Sequence, residues 1–329
     1  MRNSGGGSVR EIDRTSEKQI PRCARDDAGS WVNLLKLINY RNSAKRAALL
    51  GTLLLAFPLA FPGFAQTRYA SGQNAVPVYE GWERNSDGSF NMVFGYMNRN
   101  YEELLDVPVG ASNKFEPGSP DQGQPTHFYP RRQQFVFKVK IPQDWGEKDL
   151  IWTLTSNGRT EKAYGTLIPT RELGNLVYQE NRAGTAGVTY PEEPNEPPSI
   201  ELTGPARRTV AVGEPLALTV LVSDDGHPRA LPRSGGRGGD GSSPRRENPI
   251  TQAVVRLDPG VRLGVTWIIY RAGPGSVTFD PMHVKVVEGK AATRAVFDRP
   301  GVYGLRVYAD DGVLLTPLDV IVTAEDAKP

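Results

Sequence analysis

Apolar and polar residues alternate with a period of two along most of the chain after residue 74. Residues 89–98 read SFNMVFGYMN, which puts Phe90, Met92, Phe94 and Tyr96 on one face. Residues 134–141 place Phe135, Phe137, Val139 and Ile141 on one side and Lys138 and Lys140 on the other. Residues 149–156 do the same with Leu150, Trp152 and Leu154. Further on, Leu216, Leu218, Val220 and Val222 share a face, and residues 265–279 carry Trp267 on a strand followed by a Gly-Pro-Gly turn. Residues 292–312 hold one strand, a tight turn at Arg299-Pro300-Gly301, and a second strand with Tyr303, Leu305, Val307 and Ala309 inward. A strand at 316–323 closes the set. Alternation of this kind marks half-buried antiparallel strands.

Turn residues punctuate the strands. Asn85-Ser86-Asp87-Gly88 joins 78–83 to the Phe90 strand, and Asn157-Gly158 joins the Trp152 strand to 160–167, a strong short-range hairpin signal. Residues 110–130 are rich in Pro and Gly and predict an irregular loop. The pattern stops at 174–198, whose PEEPNEPP (191–198) predicts a stiff, acidic spacer. The fold class that follows is all-β, with two antiparallel β-sandwich domains at 74–173 and 199–323 joined by a Pro/Glu linker. Glu192, Glu193 and Glu196 of the linker read as solvated charges, since nothing there would bury a carboxylate and raise its pKa.

The stretch at 47–65, AALLGTLLLAFPLAFPGFA, has no charge, follows Arg41, Lys45 and Arg46, and ends in small residues. Residues 41–65 thus have the anatomy of a secretory signal peptide. A membrane anchor is the second reading, though Pro58, Pro62 and Gly63 loosen a helix there. Either way the remainder is exported, and membrane contact runs only through 47–65 if they stay uncleaved. Residues 1–40 are polar, and predict a disordered extension or a translation start placed too far upstream.

Four blocks of the second half carry a resemblance: VAVGEPLALTVLVSDDG (210–226), VTWIIYRAGPGSVTF (265–279), ATRAVFDRPGVYGLRVYADDG (292–312) and TPLDVIVT (316–323). Together they resemble bacterial Ig-like domains of the PKD class. The resemblance implies a seven-stranded antiparallel sandwich and a stalk or binding role in an exported protein. Tyr303 stands two residues before Leu305, as a Tyr stands two before the second core Cys of immunoglobulins, with Leu305 as an apolar stand-in. The chain departs from that pattern by an insert at 227–249, rich in Gly, Arg and Ser. It predicts a disordered loop, either a tolerated surface insertion or a basic arm for acidic polymers. The first domain resembles only uncharacterised exported bacterial proteins, which implies no function.

Charge and chemistry narrow the classes. The first 65 residues hold 10 of the 39 Lys and Arg and 5 of the 37 Asp and Glu. That leaves 29 basic against 32 acidic residues, a net charge of −3, and no electrostatic case for nucleic acid. The single cysteine, Cys23, precedes the leader, so the exported part must stand on its cores without disulfides. His127, His227 and His283 are scattered without metal spacing, and no nucleophile elbow or phosphate loop occurs. The chain therefore reads as non-catalytic.

Two candidate sites remain. Tyr101, Phe115, Phe128 and Tyr129 fall outside the inward phase of the strands and are candidates to stack on a ligand, such as the faces of sugars. Asp224-Asp225 and Asp310-Asp311, each followed by Gly, end two strands and are candidate Ca2+ ligands, though Asp-Asp-Gly is also a good turn. The expected function is an exported binding or structural module of the periplasm or cell surface, with a protein or polysaccharide of the envelope as partner. The alternative is a carbohydrate-binding accessory protein.

Overall fold

The computed structural model describes residues 68–182, 195–227, 253–258 and 261–326, which belong to one compact unit. Residues 1–65, the first part of PEEPNEPP and most of the 227–249 insert lie outside the described residues. The architecture is all-β, built from sheets whose strand pairs are nearly all antiparallel.

In the first half, β1 (Ala75–Arg84), β2 (Phe90–Asn98) and β6 (Arg131–Ile141) form one sheet in the order β1-β2-β6. Facing it are β4 (Asn113–Glu116), β7 (Leu150–Ser156) and β8 (Arg159–Gly165), in the order β4-β7-β8. A two-residue pair, β3 (Leu105–Asp106) with β5 (His127–Phe128), sits at the side. The β7–β8 hairpin turns at Asn157-Gly158 with φ of 44° and 73°, the doubly left-handed turn that Asn-Gly favours. Between the sheets the Phe94 ring lies 5.2 Å from Phe115, 5.7 Å from Phe137 and 6.1 Å from Trp152. Each ring buried there contributes about 2–3 kcal/mol by leaving water.

The 110–130 stretch is mostly irregular, as its Pro and Gly content predicts, but it also supplies β4 and β5. Side-chain amides hold its backbone in place. Asn113 Nδ2 donates to the carbonyls of Val107 and Pro125, at 2.9 Å each. Gln124 Nε2 donates to Pro120 O, and Trp152 Nε1 donates to Asn113 Oδ1.

The β1-β2-β6 sheet breaks register across all three strands at one level. Glu80 is an extra residue of β1 between Tyr79 and Gly81. On β6, residues 134–136 face Gly95 alone, and Phe135 has φ of 52°. The Glu80 carboxylate fills this hub, accepting from Arg132 Nη2 at 2.7 Å on both oxygens and from Phe135 N at 3.4 Å. Gly95 is required there, since a Cβ would stand 2.2 Å from Glu80 Oε1 and 2.4 Å from Gln133 O. Bulges re-aim side chains. Phe135, expected to point inward with Phe137, instead joins Val93, Tyr178, Val313 and Leu314 in a separate buried cluster.

Tyr178 belongs to a helix, α1 (Asn175–Arg182), which corrects the reading of 174–182 as featureless linker. The tyrosine ring packs 4.6 Å from Phe135 and its hydroxyl donates to Glu83. An apolar place to dock explains why a segment too short to be helical alone is helical here.

In the second half, β9 (Ser199–Leu202), β11 (Leu216–Ser223), β13 (Val277–Asp280) and β15 (Lys290–Phe297) make a sheet in the order β13-β15-β11-β9. The facing sheet runs β10-β17-β16-β12-β14, from β10 (Arg207–Ala211), β12 (Gly264–Arg271), β14 (His283–Lys285), β16 (Gly301–Asp310) and β17 (Leu315–Glu325). Only the β10–β17 pair is parallel among the pairs of these two sheets. Leu218, Val220, Trp267, Phe297, Tyr303 and Leu305 are fully buried between them. The Tyr303 hydroxyl donates 2.8 Å back to Arg299 O, the tyrosine corner of Ig-like sandwiches. Gly273 makes room for that ring, because a Cβ there would lie 2.4 Å from Tyr303 Cδ1.

Candidate functional site

A constellation of polar and aromatic side chains lies where the two halves meet. A register shift on β12 between Ile269 and Arg271 leaves Tyr270 as an extra residue, and backbone groups of such a residue lose their ladder partners. The first half meets them. Ile269 N donates 3.0 Å to Tyr129 Oη, Thr126 N donates 3.0 Å to Tyr270 O, and Ala272 N donates 2.7 Å to Thr126 Oγ1. The Tyr270 hydroxyl in turn donates to Gly123 O. Burial raises the pKa of the Tyr96, Tyr129 and Tyr270 phenols well above the ordinary range, so they serve as neutral hydrogen-bonding groups.

Arg306 lies at the centre of the contact. Its guanidinium carbon stands 3.4 Å from the Tyr270 ring centroid, and Nε and Nη2 make a bidentate pair with Asp319 at 2.6 and 2.8 Å. Fork geometry and ring stacking are what Arg offers and Lys does not. Arg306 Nη1 and the Tyr308 hydroxyl both donate to Val136 O on the outer edge of β6, at 3.4 and 2.8 Å. Gln133 Oε1 accepts from Val254 N at 2.9 Å, so residues 253–258 pack into the same seam.

The four aromatic candidates do not form a ligand platform. Phe115 and Phe128 are fully buried in the first core, because their ring partners Phe94, Trp152 and Tyr96 come from other strands and close over them. Tyr129 is half-buried in the seam just described. Tyr101 is half-buried, with the Arg131 guanidinium 3.9 Å from its ring centroid and Arg68 at 5.5 Å.

The four aspartates come to one end of the second half, where nearby donors already bond them. Asp310 and Asp311 are buried. Asp311 accepts from Val313 N, Leu314 N and Asn195 Nδ2, and Asp310 accepts from Gly312 N. Asp225 accepts from Glu196 N and His227 N, and Asp224 from Gly226 N. Each carboxylate accepts at least one hydrogen bond, although the buried Asp224 Oδ1 has no partner, and among the described residues no three His, Cys, Asp or Glu side chains are placed to share an ion. Glu196 is exposed, as expected of a solvated linker charge, while its backbone amide is tied to Asp225. Burial pushes the Asp311 carboxyl up to about 6, despite the three donors that favour its charge.

Sequence reasoning did not find the His127–Asp106 pair. His127 Nδ1 lies 2.6 Å from Asp106 Oδ1, and its buried Nε2 has no partner. Asp106 also lines a shallow open recess of about 540 Å³ with Val107, Pro108, Ser112, Ser156 and Asn157. Ser156 Oγ and Asn157 Nδ2 already bond Ala75 N and Gln73 O, which leaves that recess without a set of convergent free groups.

Sheet order, tyrosine corner and buried Trp267 define the second half as an Ig-like β-sandwich. No protein-family model and no curated protein matches the chain. Among solved structures, a conjugative transposon lipoprotein from Bacteroides eggerthii DSM 20697 is 11% identical, covering 38% of this chain and 96% of its own, with a TM-score of 0.22. Domains 4 and 5 of the S-layer protein SbsC are 9% identical over 55% of this chain and 66% of theirs, at a TM-score of 0.22. The D00-D0 domain of intimin is 11% identical over 76% of this chain and all of its own (100%), at 0.23. Likenesses at these scores carry no functional argument.

Proposed function

We propose that the chain is an exported, non-catalytic structural or binding module of the periplasm or cell surface, whose second half is an Ig-like domain of the PKD class. The observation that supports it best is where the conspicuous side chains are engaged. The aromatics fill cores or the seam, the aspartates accept from turn amides, and Arg306 closes the contact between halves. What the described residues offer a partner is sheet surface. Export rests on the basic, apolar and small-residue order of 41–65. The PKD assignment rests on the four sequence blocks together with the tyrosine corner at Tyr303. An envelope protein or polysaccharide is the partner class.

No contact favours the carbohydrate reading, since Phe115 and Phe128 are enclosed and Tyr101 and Tyr129 are half-buried with partners. Fractionation of cells expressing the full chain with a C-terminal epitope tests the proposal. The tag is expected in the periplasmic or surface fraction, and retention in the cytosol overturns it. A glycan array probed with the same protein separates the readings, because avid binding to one polysaccharide would restore the carbohydrate alternative.

A further inference from the structure

We propose that the first sandwich has no independent stability and persists only while docked on the outer face of the β12–β16 sheet. The second sandwich acts as its folded template. The dependence is asymmetric, and three observations carry it.

The cores differ in completeness. The cluster of the second half draws only on its own strands. The cluster of the first half includes Ile268, Tyr270 and Tyr308 from the second, all buried. Removing the second half would strip apolar cover from the first, while the reverse would expose the outer face of a sheet whose own core stays closed.

The edges differ as well. β6 is the outer strand of its sheet and eleven residues long. A long, unprotected edge strand is a site of mispairing. Here the Tyr308 hydroxyl and Arg306 Nη1 satisfy Val136 O on that edge. On the other side of the bulge, Val313 and Leu314 from the second half complete the cluster around Phe135 and Tyr178.

The seam uses backbone groups. Ile269 N, Tyr270 O and Ala272 N are all met by the Thr126–Tyr129 segment. Backbone groups buried without partners are costly, so the docked arrangement is a defined geometry rather than a loose contact.

Hydrogen exchange read by mass spectrometry on the full chain, as a function of denaturant, tests the dependence. In the parent, peptides from β2, β6 and β7 should open either with or before those from β11 and β15, never after them. Arg306→Ala should speed exchange in β2, β6 and β7 at least about tenfold, the equivalent of one lost charged hydrogen bond, with β11 and β15 unchanged. Tyr308→Phe, which removes one hydroxyl and keeps the ring, provides the same readout should Arg306→Ala fold poorly. Equal acceleration in β11 and β15, no change in β2, β6 and β7, or a parent in which the first half outlasts the second would each overturn the proposal.

Discussion

Replacing Glu80 tests the hub that bends the first sheet. The side chain is 8% exposed and its partner Arg132 is 21% exposed. Burial raises the Glu80 pKa, outweighing the attraction and hydrogen bonds of Arg132. A raised value means the folded state binds the proton more tightly than the unfolded chain. The group's contribution is therefore fully present below its unfolded pKa and is lost as pH rises through the folded one. At neutral pH the charge is a burden and the geometry is the benefit. Glu80→Ala leaves the Arg132 guanidinium facing the gap, and breaking a buried pair costs about 3–5 kcal/mol. Arg132 Nη1 keeps Gln133 O at 2.9 Å and Tyr96 O at 3.3 Å, which argues for the lower end, about 3 kcal/mol. Glu80→Gln keeps an acceptor and removes the buried charge, so its cost should be about 1 kcal/mol. Urea unfolding followed by tryptophan fluorescence reads both. With a slope of about 3 kcal/mol per M, the alanine variant should lose about 1 M in midpoint and the glutamine variant about a third of that. Equal losses in the two variants, or no loss in the alanine variant, would refute the reasoning.

Three further outcomes are expected. Tyr303→Phe removes the hydroxyl that meets Arg299 O and should cost about 1 kcal/mol, a drop of about 2–4 °C in melting temperature. Gly273→Ala forces a methyl into the Tyr303 ring and should cost more, about 1–3 kcal/mol by overpacking, which the same melt would show. Asp311, held at about 6 by burial, contributes stability that is present below its unfolded pKa and lost as pH rises through about 6. The melting temperature of the parent minus that of Asp311→Asn should accordingly fall between about pH 4 and pH 7, and a flat difference would disprove the assignment.

Much of the fold was legible because period-two strands and their turns are local signals. Leu218, Val220, Tyr303, Leu305 and Val307 are all fully buried, as their alternation predicts. Asn157-Gly158 forms the hairpin its residues favour. The misreadings share a cause in partners that lie far along the chain. Phe115 sits in a Pro/Gly-rich stretch, outside the inward phase of the alternating strands. What buries it is Trp152 across the β4–β7 pair, together with amide bonds from Asn113 and Gln124 that no periodicity records. Phe135 keeps perfect alternation with Phe137 in sequence, yet the bulge opposite Gly95 turns it to the other face. Residues 175–182 carry little apolar pattern, and helicity there depends on Phe135 receiving Tyr178.

The aspartate pairs also mark a junction in the fold. Asn195 and Glu196 lie just ahead of Pro197, Pro198 and β9. Asn195 Nδ2 donates to Asp311 at 3.0 Å and Glu196 N donates to Asp225 at 2.9 Å. Two neighbouring residues thus tie both Asp-Asp-Gly loops to the entry point of the second sandwich. Asp311 also receives Val313 N and Leu314 N, and the side chains of that same pair reach the cluster around Phe135 and Tyr178 in the first half. A carboxylate that organises the loop between β16 and β17 therefore also aims two apolar residues at the other sandwich. The aspartates that are candidate Ca2+ ligands in the sequence thus also connect the entry of the second sandwich to the loop whose apolar residues reach the first.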